Sequence, residues 1–112
     1  MFQTISMRQL ENMLNEQSMG HDGPYFLLDV RDPEEYKKSH LKGAVNIPYE
    51  ELAFLADYGE TVNNIPMGKK VVVYCSFGSH SMLAARILDR LGYEVINTSG
   101  GLAYYRGRNL VR

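Results

Sequence analysis

Two short, continuously apolar runs constrain the fold of this chain more than any other feature. Phe26-Leu27-Leu28 and Val71-Val72-Val73 contain no polar residue, which is typical of strands buried on both faces of a sheet. Segments with helix signals alternate with these runs and with further short strands, and parallel strands need such crossover connections. The alternation therefore predicts an α/β fold, a doubly wound parallel sheet with helices on both faces.

The segments between the strands carry recognisable helix signals. Ser6 and Gln9 form a capping-box pattern at the start of an N-terminal helix. Asp32 can cap a second helix, in which Pro33 suits the first position. A longer helix that stops at Gly92 is predicted by an apolar stripe at i, i+3, i+4 and i+7, formed by Ala84, Ile87, Leu88 and Leu91.

The remaining elements are shorter and follow turn signals. Four strands are located by pattern, at residues 25–30, 44–47, 71–74 and 94–98. A third helix contains Leu52 and is expected to stop near Gly59. A last short helix is expected at residues 102–106, after the turn at Gly100 and Gly101.

Length and charge limit the domain count and the partners. A chain of 112 residues fits one domain, which we expect to span residues 1–112. The 12 basic and 13 acidic residues are spread along the chain, and the net charge is −1. No basic arm or block of like charge occurs, so we expect neither nucleic acid nor an anionic membrane as a partner. No apolar run is long enough for a signal peptide or a membrane span.

The cysteine and histidine content limits the metal and redox chemistry. One cysteine excludes an intramolecular disulfide and a Cys-based structural zinc cluster. His21, His40 and His80 share no metal-ligand spacing, so we expect no metal. The lack of a disulfide and of a targeting segment favours a reducing, cytoplasmic location.

The cysteine lies at the carboxyl end of the second apolar run, where doubly wound folds place their sites. Cys75 is followed by the small and polar segment SFGSHS, residues 76–81, and then by the long helix. Backbone amides of such a loop point into one concave space at the positive end of the helix dipole, which favours an anion. A thiolate is stabilised in that position, and His80 could add positive charge near neutral pH.

A structural role for Cys75 explains the same residues. Free cysteine is among the most buried residue types, so Cys75 could fill space at the end of a strand. A plain connection between a strand and a helix can also contain a glycine and several serines. The loop residues alone leave a reactive thiol and a buried small hydrophobe as equal alternatives.

Four motifs, in order along the chain, favour a reactive thiol over a buried small hydrophobe at Cys75. The motifs are LDVR at 28–31 with EY at 35–36, HLKGAVNIP at 40–48, VYC at 73–75 with Gly78 and Ser81, and GG at 100–101. Together they resemble the motifs of single-domain rhodaneses, a sulfurtransferase family with a doubly wound parallel sheet. The resemblance covers residues 5–106. It implies a mainly parallel five-stranded sheet with helices on both faces.

The resemblance also implies a mechanism. Cys75 would be the nucleophile that takes sulfane sulfur from thiosulfate or a persulfide donor and becomes a persulfide. A thiol or cyanide acceptor, or a protein sulfur acceptor, would then remove the sulfur, and no cofactor is needed. The outer sulfur would be surrounded by the backbone amides of six residues: Ser76, Phe77, Gly78, Ser79, His80 and Ser81.

One departure from the family pattern concerns the donor. Many family members carry arginine at the positions of Ser76 and His80, where it would attract thiosulfate. This loop contains no arginine, so a persulfide donor is as credible as thiosulfate.

Other residues near the predicted site have structural interpretations. Asp29 and Arg31 could border the site, but we favour an ion-pair and capping network with Glu35. For His40 we expect a hydrogen-bonding structural role. Tyr104 and Tyr105 are expected to pack in the core or at its rim.

Three other functions are alternatives. A cysteine phosphatase or arsenate reductase needs an arginine six residues after its cysteine, and that position is Ser81 here. A non-catalytic binding or regulatory module on the rhodanese scaffold commonly lacks the cysteine. A persulfide carrier would use Cys75 to serve a dedicated protein partner.

Overall fold

The structure is a computed structural model, and it describes residues 2–16, 23–58, 62 and 64–112. Gly59, where the third helix was predicted to stop, lies outside these residues, and so does His21. Within them, no helix has the length and apolar character that crossing a bilayer requires.

Helices and strands alternate along the chain, as predicted. In chain order the elements are β1 Gln3–Ile5, α1 Met7–Glu16, β2 Tyr25–Asp29, α2 Pro33–Lys38, β3 His40–Leu41, β4 Val45–Asn46, α3 Tyr49–Tyr58, β5 Lys70–Tyr74, α4 Ser79–Arg90, β6 Val95–Thr98, a 3₁₀ turn at Leu102–Tyr104, and β7 Leu110–Val111. The last predicted helix is therefore a single 3₁₀ turn.

Five strands form one sheet in the order β1-β6-β5-β2-β4, and every pair in it is parallel. The predicted five-stranded doubly wound fold is thus confirmed. The fifth strand, which the sequence pattern did not locate, is β1, where Ile5 lies opposite Thr98. Separately, β3 and β7 pair antiparallel. Strand β5 is central, between β6 and β2. Its carboxyl end therefore lies in the middle of the edge at which all five parallel strands end.

The central strand is buried on both faces, as its apolar sequence predicts. Val71 and Val73 point into one core cluster, together with Leu52 of α3 and the buried face of α4. Val72 and Tyr74 point into the other, which includes α1 and its fully buried Leu10. Strand side chains alternate between the faces of a sheet, so the three valines are divided between the two cores. Burial of each valine stabilises the folded state by about 1.5–3 kcal/mol.

The helix ends match most of the predicted signals. The Ser6 amide donates to Gln9 Oε1 at 2.8 Å, and the Gln9 amide donates to Ser6 Oγ at 3.1 Å, which confirms the capping box. Pro33 occupies the first turn of α2, but the Asp32 side chain forms no capping hydrogen bond, so that part of the prediction is wrong. Gly92 follows the end of α4 with a φ of 96°, as a helix stop should.

Candidate active site

The Cys75 loop lies between the central strand and α4. Strand β5 ends at Tyr74, and α4 begins at Ser79, so four residues connect them. Cys75 is 3% exposed and forms no disulfide. Its side chain belongs to the core cluster under α4, so the thiol lies at the boundary between this core and the loop.

Two backbone amides donate to the Cys75 sulfur. The amide of Gly78 lies 3.0 Å from Sγ, and the amide of Ser81 lies 3.3 Å from it. The Ser81 amide belongs to the first turn of α4, where amides have no partner within the helix. Both donors, together with the helix dipole, stabilise negative charge on the sulfur.

Glycine allows the loop to aim these amides inward. Gly78 has a φ of 101°, and a Cβ atom there would lie 3.2 Å from the backbone nitrogen of Gly100. A Cβ atom on Gly101 would lie 2.3 Å from the carbonyl carbon and oxygen of Ser76. Glycine is therefore needed at positions 78 and 101, because the backbone of the GG motif lies directly against the backbone of the Cys75 loop.

The segment after β6 donates hydrogen bonds to two carbonyl groups of the Cys75 loop. The Leu102 amide donates to the Cys75 carbonyl at 2.7 Å, and the Ala103 amide donates to the Ser76 carbonyl at 3.0 Å. The buried Ser81 hydroxyl lies 3.1 Å from the Gly78 carbonyl. These hydrogen bonds hold the loop in the conformation in which the amides of Gly78 and Ser81 face the sulfur.

Side chains of the other predicted loop residues point away from the sulfur or towards solvent. Phe77 is 70% exposed. The exposed His80 ring stacks on Tyr49, with ring centroids 5.2 Å apart. The Ser76 hydroxyl donates to Glu35 Oε2 at 3.0 Å. The amides of Ser76, Phe77, Ser79 and His80 stay predicted contacts of an outer sulfur.

The Asp29–Arg31 pair is a buried ion pair that fixes the neighbouring strand end. Arg31 Nη2 lies 2.8 Å from Asp29 Oδ2 and donates to the Ser39 carbonyl at 2.6 Å. Burial lowers the pKa of Arg31, but the hydrogen bond and charge of Asp29 outweigh this effect and raise it. The structural interpretation of this pair is supported. Glu35, expected as a member, has its hydrogen bond with Ser76 instead, and only its charge acts on Arg31.

Tyr74 ties this ion pair to the central strand. Its hydroxyl donates to Asp29 Oδ2 at 2.6 Å and accepts from the Leu41 amide at 3.1 Å. Burial, and then the charge of Asp29, raise the pKa of Tyr74, so the hydroxyl stays protonated and remains a donor. Strands β5 and β2 and the β3 segment are thereby held together beside the loop.

Sequence reasoning did not assign a role to Asn46, although it lies within a quoted motif. Its Nδ2 donates to the carbonyls of Asp29 and Arg31, at 3.0 and 2.9 Å. Asn46 thus fixes the segment that joins β2 to α2, the helix in which Glu35 lies. His40 has the structural role expected of it, because Nδ1 lies 2.9 Å from the Tyr36 carbonyl and the ring stacks on Tyr36.

Comparison with known proteins is consistent with this geometry. The family model described as "Rhodanese-like domain" matches residues 6–107. A tRNA sulfurtransferase of Desulfurococcus amylolyticus is 39% identical over 84 residues, which cover 75% of this chain but only 15% of that protein. The thiosulfate sulfurtransferase PspE of Escherichia coli is 36% identical over 80 residues, which cover 67% of this chain and 68% of PspE.

Solved structures agree on the fold. A crystal structure of a rhodanese-like domain protein from Staphylococcus aureus superimposes with a TM-score of 0.79 at 22% identity, covering 98% of this chain and 97% of that chain. At this identity the likeness concerns the fold alone. With the family match over nearly the whole length, it leads to one conclusion: the chain belongs to the rhodanese-like domain family, in which similar proteins are sulfurtransferases.

Proposed function

We propose that this protein transfers sulfane sulfur through a persulfide formed on Cys75, without a cofactor. The supporting observation is the pair of amides from Gly78 and Ser81 aimed at Cys75 Sγ. Groups that stabilise a thiolate also suit the anion of a persulfide, because both carry one negative charge at the same loop. Residues 1–112 would act as one rhodanese-like domain.

The first step loads the cysteine. The Cys75 thiolate attacks the outer sulfur of thiosulfate, the bond between Sγ and that sulfur forms, and the sulfur–sulfur bond of the donor breaks. Sulfite leaves with the bonding electron pair, and Cys75 carries a persulfide anion. A persulfide donor reacts in the same way and leaves as a thiol. The loop amides at residues 76–81 would bind the outer sulfur.

The second step restores the thiolate. A nucleophilic acceptor, cyanide or a thiol, attacks the outer sulfur, and the electrons of the breaking bond return to Cys75 Sγ. With cyanide the product is thiocyanate. With a thiol, or with a protein sulfur acceptor, the product is a new persulfide. A single cysteine suffices, since the acceptor comes from outside.

A reducing compartment would suit this chemistry. Oxidation of Cys75 beyond the thiol would block loading, and the cytoplasm keeps exposed or reactive thiols reduced. We therefore propose a cytoplasmic location.

Phosphatase chemistry is less well supported. The position that holds the phosphate-binding arginine in such enzymes is Ser81, which is fully buried and whose hydroxyl contacts the carbonyls of Gly78 and Thr98. A side chain bound in this way cannot clamp a phosphoryl group.

Intact mass measurement tests the proposal. The purified protein is incubated with thiosulfate or with a low-molecular-weight persulfide, and cyanide or a thiol is then added. We expect a gain of about 32 Da, the mass of one sulfur atom, in the wild type and none in Cys75→Ser. The added mass should disappear as thiocyanate or a new persulfide forms.

The same experiment separates the alternatives. If Cys75 gains no sulfur from any donor, sulfur transfer is wrong and a binding or regulatory module is favoured. If Cys75 loads but releases its sulfur slowly to small acceptors, a carrier that serves a protein partner is favoured over an enzyme with free turnover.

A further inference from the structure

A cleft opens between α1 and the segment after β6, on the face of the sheet that does not hold Cys75. Its volume is about 390 Å³, and it is lined by Met7, Arg8 and Glu11 of α1 and by residues 104–107. Met7 belongs to the core cluster that includes α1, whereas Cys75 belongs to the cluster under α4. A ligand of this cleft is therefore separate from the chemistry proposed for the cysteine.

The carboxylate of Glu11 joins the two walls of the cleft. It accepts hydrogen bonds from the Tyr105 hydroxyl, from the Arg108 amide at 3.0 Å and from Asn109 Nδ2 at 2.9 Å. A Cβ atom on Gly107 would lie 2.2 Å from Glu11 Cδ, so the backbone of the second wall lies directly against this carboxylate. The walls are thus held in place without a ligand, and binding needs little reorganisation.

Two guanidinium groups of the lining have no partner among the described residues. Neither Arg8 nor Arg106 forms an ion pair or a side-chain hydrogen bond there, and both side chains are exposed. Glu11, the acidic residue of the lining, is already hydrogen-bonded to the opposite wall. An anion that enters the cleft therefore meets two free guanidinium groups, which bind carboxylate and phosphate oxygens through paired hydrogen bonds.

An aromatic ring and a thioether supply the apolar part of the lining. Tyr104 is 66% exposed, and its hydroxyl makes no hydrogen bond to a described residue, so its ring is free to stack. Met7 is buried in the wall formed by α1, and a methionine sulfur packs favourably at the edge of an aromatic ring. A planar group can therefore lie against Tyr104 while its charged substituent reaches the arginines.

The size of the cleft limits the ligand. Small-molecule sites usually have volumes of about 300–1,000 Å³, and this cleft lies near the lower end of that range. A single ring system with one charged substituent fits this volume better than a peptide or a dinucleotide does.

We propose that this cleft binds a small aromatic or heteroaromatic molecule that bears one carboxylate or phosphate group. The ring lies against Tyr104 and Met7, and the anion is bound by Arg8 and Arg106. The cleft is a second site, distinct from the cysteine loop, and its occupation does not depend on sulfur transfer.

NMR titration with four probes tests the assignment. Phenyl phosphate and benzoate combine a ring with an anion, whereas phenol lacks the anion and inorganic phosphate lacks the ring. We expect phenyl phosphate or benzoate to shift the amide signals of residues 7–11 and 104–107, with a Kd at least about tenfold lower than that of phenol or of inorganic phosphate. Whichever of the two has the lower Kd identifies the preferred anion.

Two variants separate the anion contact from the ring contact. In Arg8→Gln/Arg106→Gln, the Kd of the anionic probe should rise about tenfold, to the level of phenol. In Tyr104→Ala, it should rise roughly two- to tenfold through the loss of one ring contact. All three side chains are exposed, so we expect both variants to fold, which circular dichroism checks. Arg90→Gln removes an exposed arginine at the far end of α4 and should bind as the wild type does.

The cysteine variant and the uncharged probe decide the outcome. Cys75→Ser should bind the probes as the wild type does, because the cleft and the cysteine lie on opposite faces of the sheet. If phenol binds as tightly as phenyl phosphate, or if the double arginine variant keeps the wild-type Kd, the anion assignment is wrong. If neither anionic probe shifts residues 7–11 or 104–107 at millimolar concentration, the cleft is not a site for this class of ligand.

Discussion

Replacing Gly101 with alanine tests whether close backbone contact holds the Cys75 loop in place. Gly101 has a φ of 79°, and its Cβ atom would lie 2.3 Å from the Ser76 carbonyl. The atoms in its way belong to the backbone, so no side chain can rotate to make room. Alanine therefore fits only if the turn at residues 100–101 and the loop move apart.

The expected cost follows from two contributions. Gly101 combines a φ of 79° with a ψ of 174°, a region that is essentially restricted to glycine, and this backbone costs alanine about 1–3 kcal/mol. Separation also weakens the two hydrogen bonds that the following residues donate to the carbonyls of Cys75 and Ser76, each worth about 1 kcal/mol. We expect Gly101→Ala to lower the free energy of unfolding by roughly 3–5 kcal/mol. A domain of ordinary stability, about 5–15 kcal/mol, stays folded after such a loss.

Guanidinium chloride unfolding measures the loss of stability, and the rate of the proposed sulfur loading of Cys75 measures the displacement of the loop. The matched control is Gly92→Ala, because Gly92 has a φ of 96° but its Cβ atom would meet only the Met67 side chain, at 3.7 Å. The control should lose about 1–2 kcal/mol from its positive φ and keep its loading rate. Gly101→Ala should load at least about tenfold more slowly, since the Gly78 amide is displaced. If Gly101→Ala and Gly92→Ala lose the same stability and load at the same rate, this account of the GG motif is refuted.

Three further changes test other parts of the structure. Tyr74→Phe removes a donor from the buried Asp29 carboxylate, and urea unfolding should show a loss of about 1–3 kcal/mol with Cys75 loading kept. Thr98→Val removes a buried hydroxyl that has no hydrogen-bond partner among the described residues, and calorimetry should show a Tm higher by roughly 2–5 °C. Glu11→Gln tests a pH effect: burial raises the pKa of Glu11, but hydrogen bonds outweigh it and hold this pKa below 4.5. Because the folded-state pKa is the lower one, ionised Glu11 stabilises the fold above about pH 4.5. The stability difference between wild type and variant should therefore shrink as the pH falls below about 4.5 and through the folded-state pKa.

The fold was predictable because its central strands are buried on both faces. A continuously apolar run such as Val71-Val72-Val73 has few other uses in a domain of this size. Strand β1 was missed because it has three residues, two of them exposed, and so shows no apolar run. The last helix was predicted from residues 102–106, but the first amides of this segment bind the carbonyls of Cys75 and Ser76, and only one 3₁₀ turn forms.

Contacts of the candidate site were less predictable than its residues. Motif spacing identified Cys75, Gly78 and Ser81, whose relative positions are fixed within one loop. The contact between Ser76 and Glu35 joins residues that are 41 positions apart, and the local sequence of neither residue indicates it. Asn46 offered a signal, since a polar amide at the end of a short strand commonly binds nearby backbone.

The two initial interpretations of Cys75 do not exclude each other. The residue is 3% exposed and packs with Val73 and Ala84, as a buried small hydrophobe would. A residue that only filled space would need no donors, yet two amides are aimed at its sulfur, and one of them requires a glycine with a positive φ. The core fixes the position of the sulfur, and the loop supplies amides that can stabilise the negative charge of a thiolate and of the proposed persulfide.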